Sequence, residues 1–248
     1  MFVLNPFYVY VNSRDRTSGT DENFHYAINF PADQDFDTVV CLNCLIPKSY
    51  YLIQDELRER TFYLKEDNTT VEIIVPVGSY LLSTFKTTIG QLLTSASPNG
   101  LTYTLSYPTS SQPDTGKWTY TQNNGSIQSS IICNGHLFEP LGFKSDSTND
   151  FTGTTLVSTC VIKIQSEDRL MLHSSCVING GMDNILVSIN STTSINYSSI
   201  AWECPAPEFY CHELNSKNNN VYSFQLTDEN GELISLNGLN LNIRLKSK

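Results

Sequence analysis

"LNLNIRL", residues 239–245, decides the fold class. Its apolar residues Leu239, Leu241, Ile243 and Leu245 fall on every second position, with Asn240, Asn242 and Arg244 between them. Alternation with period two gives an extended chain one apolar and one polar face, the pattern of a half-buried strand. A chain end frays unless something ties it down, so this strand is expected inside a sheet. Just upstream, "VYSFQLTDENGELI" (221–234) alternates Tyr222, Phe224 and Leu226 with Ser223 and Gln225 before reaching Asn230-Gly231. Asn-Gly between alternating runs is a strong hairpin signal, because both residues accept the positive φ of a tight turn. The reading is an antiparallel hairpin that also supplies the partner of the last strand.

The same pattern recurs toward the start of the chain. "FYVYV" after Pro6 and "FHYAINFP" (24–31) alternate, while "TVVCLNCLIP" (38–47) is a continuous apolar run, as expected for a strand covered on both faces. "TFYLKEDNTTVEIIV" (61–75) gives two strands around the turn "EDNT". One helix is predicted from Ser79, its N-cap, through "LLSTFKTTIGQLLTSA", with Leu81, Leu82, Phe85, Ile89, Leu92 and Leu93 at helical spacings. "LTYTLSY", "KWTYTQ" and "SIQSSIIC" follow as strands, "HLFEPLGF" as a short helix or turn, and Ser145 to Thr154 as a loop. "TLVSTCVIKIQ", "RLMLHSSCV" and "NILVSINS" are strands again, and "SSIAWECPAPEFYCHELNSKNNN" (198–220) reads as an irregular loop. Strands and helices do not alternate, which excludes a doubly wound α/β sheet. The fold class is all-β, an antiparallel sandwich or barrel of residues 1–75 and 155–248, with an inserted α+β subdomain at 76–154.

Composition excludes some functions. The 248 residues carry 15 Lys and Arg against 25 Asp and Glu, a formal charge of −10. So acidic a chain repels phosphate backbones, so nucleic acid is not an expected partner. No run approaches the ~20 apolar residues of a membrane helix, and the opening residues lack the basic start and cleavage site of a signal peptide. Reduced thiols are therefore expected for the seven cysteines.

Chemistry is sparse. Cys41-x-x-Cys44 with Cys204 and Cys211-His212 invites a zinc site, but the spacing is loose, and Cys41 and Cys44 also read as small apolar residues in a buried run. His25 and His173 lie in strands and read as structural. His136 stands near Glu139, a pairing that could supply a general acid and base, without any supporting motif. There is no phosphate loop, zinc-protease motif or nucleophile elbow. No catalytic, cofactor-binding or metal residue is assigned, no cofactor is expected and the chain does not read as an enzyme. Trp118 and Tyr120 in "KWTYT" could line a sugar site or form a buried pair.

Four phrases together resemble the penton proteins of virophages and polinton-like viruses. They are "FHYAINFPADQDFDTVVCLNCLIPKSYYLI", "VEIIVPVGSYLLSTFKTTIGQLL", "HLFEPLGF" and "LTDENGELISLNGLNLNIRL", in the family's order and covering most of the chain. The Cys- and Pro-containing loop Trp202–His212 falls outside that pattern. The resemblance implies a single jelly-roll minor capsid protein, made in the host cytoplasm and located in the virion. It implies a homopentamer at each five-fold vertex, ringed by a double-jelly-roll major capsid protein, with no enzymatic activity. The alternatives are another single-jelly-roll minor capsid or cement protein, and a receptor- or glycan-binding β-sandwich.

Overall fold

The computed structural model describes residues 6–31, 36–55, 60–108, 113–135, 137–165, 169–178, 184–191, 196–215 and 220–248. The chain forms two compact units, Met1–Tyr50 with Glu167–Lys248, and Tyr51–Ser166. The first unit begins with β1 (Phe7–Asn12), β2 (Ser18–Gly19), β3 (Asn23–Ala27) and β4 (Thr38–Pro47). The second holds β5 (Thr61–Glu66), β6 (Thr69–Ile74), helix α1 (Leu82–Ala96), β7 (Tyr103–Ser106), β8 (Thr119–Gln122), β9 (Ser129–Cys133), α2 (Phe138–Leu141), β10 (Ser147–Asp150) and β11 (Thr155–Val157). The chain then returns through β12 (Arg169–Ser174), β13 (Val177–Ile178), β14 (Ile185–Asn190), β15 (Ser199–Glu203), β16 (His212–Leu214), β17 (Val221–Thr227) and β18 (Asn242–Ser247).

The first unit is an antiparallel jelly-roll sandwich. Among the described residues one sheet has the order β1-β18-β4-β16-β13, with β15 also paired to β4, and the other the order β14-β12-β17-β3-β2. Inward residues of both sheets make one core, with Val9, Val11, Ile243, Leu245, Cys44 and Ile46 against Phe24, Leu172, Tyr222 and Phe224. The Phe24 and Phe224 rings stack with centroids 5.5 Å apart.

The last strand does lie inside a sheet, but β17 is not its partner. β18 runs between β1, where Ile243 faces Val11, and β4, where Ile243 faces Cys44. The chain does reverse at Asn230-Gly231, but in a wider loop than the tight Asn-Gly turn expected: only Gly231 takes a positive φ, +85°, and the Asp228 carboxylate holds the loop by accepting from the backbone N–H groups of Asn230 and Glu232, both at 2.8 Å. Beyond the isolated Thr227–Leu233 bridge, the chain leaves its sheet. Ile234 and Leu236 are buried in the core and carry it across to β18. The alternation read from Leu239 therefore starts late, for Leu239 is 50% exposed after the turn at Asn237-Gly238.

β4 carries an irregularity that joins its two halves. Arg244 pairs with Asn43 while the next residue, Leu245, pairs with Cys41, which leaves Leu42 as an extra residue. A bulge of this kind switches which residues face inward. Val39 and Cys41 are buried before it, Cys44 and Ile46 after it. Two residues three apart thus share one core. The segment read as an irregular loop supplies β15 and β16, which pair with the free side of β4 at Asn43–Pro47 and Thr38–Val39.

The inserted unit is larger than the expected 76–154. Its β5–β6 hairpin, with Asp67 at φ +48° in the turn, pairs through β5 with β9 in the order β10-β9-β5-β6, so Phe62, Leu64 and Ile73 enter the second core. The strand β10 arises in the stretch read as a loop, Ser147 opposite Cys133 and Asp150 opposite Ser130. A second sheet, β11-β8-β7, is covered by α1. Phe85, Ile89 and Leu93 are the buried face of α1, while Leu81 and Leu82 are exposed. The helix starts later than Ser79, capped by Thr84, whose hydroxyl accepts from the Leu81 N–H at 3.0 Å. The Thr94 hydroxyl accepts from the Tyr103 N–H at 2.9 Å and so satisfies part of the β7 edge.

The carboxylate of Glu66 is fully buried in this unit and accepts from Ser97 Oγ at 2.6 Å, the Asn99 N–H at 2.9 Å and the Tyr103 hydroxyl at 2.8 Å. Glu66→Ala removes the acceptor and strands those donors, each worth about 1.5–3 kcal/mol when bonded to a charge; calorimetry is expected to show the inserted unit melting earlier. Ile243→Asp places an unpaired charge in the first core, a loss of about 3–5 kcal/mol beyond the missing apolar contact. Circular dichroism should show that variant unfolded at temperatures where the parent is intact, and an unchanged melting curve would refute the central position of β18.

Candidate functional site

The residues singled out for chemistry do not converge. The sulfurs of Cys41 and Cys44 lie 3.3 Å apart, both buried in the core of the first unit. Their mutual hydrogen bond, burial and charge repulsion hold the Cys41 thiol well above its ordinary pKa. Cys211 Sγ instead donates to the Pro207 carbonyl at 3.0 Å, and His212 Nε2 lies 3.0 Å from the Leu186 carbonyl oxygen. Among the described residues no group of three or more His, Cys, Asp or Glu could hold a metal ion. His25 Nδ1 lies 3.3 Å from Ser18 Oγ and His173 Nε2 lies 3.0 Å from Thr227 Oγ1. His136 lies outside the described residues, and Glu139 is 3.5 Å from Lys163 Nζ.

Two grooves are the best places to look for a small-molecule site. One, of about 440 Å³, runs between α1 and β7 and is lined by Lys86, Gly90, Thr94, Tyr103 and Leu105, without a carboxylate or histidine. The other, of about 370 Å³, holds His173 with Ser174, Ser175 and Ser223. Its serines are engaged, Ser174 Oγ donating to the Ser223 carbonyl and Ser175 Oγ accepting from the Ser223 N–H, both at 2.9 Å. Neither groove pairs an acid with a base. The sugar-site reading of Trp118 and Tyr120 is overturned, for both rings are fully buried. Trp118 Nε1 donates to the Pro140 carbonyl at 2.9 Å and the Tyr120 hydroxyl to that of Leu141 at 2.7 Å. They are core residues with their polar atoms satisfied.

What the first unit does present is a pair of unlike flanks on its larger sheet. At one edge, β1 turns Val9 and Val11 inward and Tyr8 and Tyr10 outward, 42% and 66% exposed. The Arg244 guanidinium of β18 lies over both rings, 5.1 Å and 5.3 Å from their centroids. Such cation–π placement fixes the fork without neutralising it. Arg244 makes no ion pair with any described residue, and its Nε is buried without a hydrogen-bond partner. Lys246 is one outward step further along β18, opposite Tyr8. Beyond Glu232 the chain has no acid and three cations, Arg244, Lys246 and Lys248.

The far side of the sheet is the reverse. Residues 196–215 hold Glu203, Glu208 and Glu213 and neither lysine nor arginine. All three carboxylates are exposed. The Cys204 N–H donates to the carbonyl of the bulge residue Leu42 at 2.8 Å, which anchors the loop that follows. That loop carries Phe209, 83% exposed, and Tyr210, 55% exposed. Sequence reasoning left this loop without a role. The signal available was an aromatic pair flanked by prolines and acids, and its meaning required knowing that β15 and β16 place it at a sheet edge.

Labelling of the native protein with iodoacetamide at mildly alkaline pH tests the thiol assignments. Raised pKa values keep Cys41, and Cys133 at about 12, in the unreactive thiol form, while both are also buried. Peptide mass spectrometry should find label on the partly exposed Cys160, Cys204 and Cys211, and on Cys41, Cys44, Cys133 and Cys176 only after unfolding.

No family model and no curated protein sequence matches the chain. Its fold is similar to the crystal structure of the selenomethionine-labelled mavirus penton protein, with a TM-score of 0.53 and 12% identity over 98% of this chain and 99% of that one. At this identity the likeness speaks for the fold, and its coverage takes in both units. The chain shares its fold with the penton protein of a virophage, the family that the four phrases of its sequence resemble.

Proposed function

We propose that this chain is a structural capsid protein, a penton that forms a homopentamer at the five-fold vertices of an icosahedral virion and contacts the surrounding major capsid protein. The observation that carries the reading is the end-to-end likeness to the mavirus penton protein, jelly-roll and inserted unit together. The residues support it. The described residues gather no acid–base pair, nucleophile or metal cluster in a groove, and the conspicuous surface groups are exposed aromatic side chains and charges, on or beside the larger sheet, that form no ion pair with a described residue. Tyrosine, phenylalanine and arginine are the residues that dominate protein–protein contacts. A vertex subunit is not an enzyme in this reading, needs no cofactor, and has partners that are proteins. No helix among the described residues is long and apolar enough to cross a membrane.

Light scattering across a concentration series should give a species of five times the 27.8 kDa chain mass. Purified particles should hold the chain in five copies per vertex by quantitative mass spectrometry. Its absence from the particles would overturn the penton reading.

A further inference from the structure

We propose that the two flanks of the larger sheet are the two halves of one contact: the Tyr8, Tyr10, Arg244 flank of one copy receives the Glu203, Phe209, Tyr210 flank of the next. This inference rests on the penton reading and assigns the surfaces that close its ring.

A ring of identical subunits needs a head-to-tail contact, in which one patch of each copy meets a different patch of its neighbour. The two flanks meet that requirement. They lie on opposite sides of β4 in one sheet, β1 and β18 on one side and β15 and β16 on the other. Registers put the key groups in one row across the outward face, Tyr10 opposite Arg244, Arg244 opposite Asn43, and Asn43 opposite Glu203. At strand spacings of about 4.8 Å the row is about 14 Å wide. Rotation keeps height along its axis, so an axis parallel to the strands brings Arg244 of one copy level with Glu203 of the next.

The charges match and are otherwise unused. Arg244 and Lys246 make no ion pair with any described residue, and neither do Glu203, Glu208 and Glu213. A chain of net charge −10 repels its own copies, so self-association calls for cations gathered on one face, as they are after Glu232. The Arg244 fork is already held between two rings, so pairing it with a carboxylate orders little more of the side chain. Phe209 and Tyr210 supply the apolar part. An almost fully exposed phenylalanine beside an exposed tyrosine, on a loop tied to the bulge of β4, is a surface awaiting cover. Tyr8 and Tyr10 offer rings of the kind that aromatic anchors pack against.

The test is a charge swap read by light scattering and native mass spectrometry. Arg244→Glu and Glu203→Arg, each alone, should reduce the five-chain species to single chains at low ionic strength. Both substitutions in one chain restore opposite charges across the junction and should restore the five-chain mass. Phe209→Asp, at a site with no packing role in the single chain, should also abolish the ring while leaving the melting temperature unchanged. Five-chain assembly that survives Phe209→Asp and both single charge reversals overturns this choice of flanks and leaves the penton reading standing. A doubly substituted chain that assembles no better than either single variant overturns the pairing of Arg244 with Glu203. A parent chain that remains single at every concentration overturns the flank contact itself, while the stoichiometry in particles separately decides the penton reading.

Discussion

The first unit depends on β18 being held on both sides, by β1 from the start of the chain and by β4. Its inner residues Ile243 and Leu245, with Leu241 just before it, are all buried in the core of the sandwich. At about 1.5–3 kcal/mol for each such side chain, the three contribute an amount comparable with the about 5–15 kcal/mol net stability of a typical domain. The hydrogen bonds add a second constraint. Pairing runs from Phe7–Ser247 to Asn12–Asn242 on one side and from Asn242–Leu45 to Ser247–Val39 on the other. The sandwich is thus completed only by a strand far along the chain from its partners, and its closure brings together residues more than two hundred positions apart. Between these ends the inserted unit has a core of its own, centred on Trp118, Tyr120, Phe85 and Phe62.

Strands were legible wherever side chains alternate, because burial on one face leaves a period of two in the sequence. Partners were less legible. The chain reverses at Asn230-Gly231, with Gly231 alone in positive φ, yet Ile234 and Leu236 are drawn into the space between the sheets and take the chain away from β17. Local turn chemistry fixes where the chain reverses, while the demand to fill the core decides which sheet it joins next. Short strands were hidden for another reason. β15, β16 and β10 have five, three and four residues, too few for alternation to stand out. β10 is made of Ser, Thr, Asn and Asp, which resemble a loop, and its polar side chains are accommodated at the outer strand of its sheet. The bulge at Leu42 is also invisible in sequence, since a continuous apolar run masks the shift of phase.

The same bulge explains why Cys41-x-x-Cys44 looked like half of a metal site. Residues three apart on a regular strand point to opposite faces. The extra residue turns both thiols into the core, where 3.3 Å of separation follows from packing. Cys204 and Cys211 are only partly buried and lie outside that core, so the four thiols are divided between the interior and its margin. The zinc reading depended on spacing along the chain, and the bulge removed the geometric sense of that spacing.

For the surface, the charge segregation was in plain view: three cations and no acid after Glu232, three acids and no cation over 196–215. Sequence could not say that these runs face each other across a single strand, because the order β1-β18-β4-β15 follows from long-range pairing. That order has a physical consequence. The outward positions of an antiparallel sheet can vary without disturbing its inward core, so β18 can hold Ile243 and Leu245 in the sandwich and present Arg244 and Lys246 outside it. Stability and recognition are carried by alternate residues of one strand. A sheet built this way keeps opposite edges chemically unlike, which suits a contact that must join unlike patches and disfavours a symmetric pair of identical edges, where cations would meet cations.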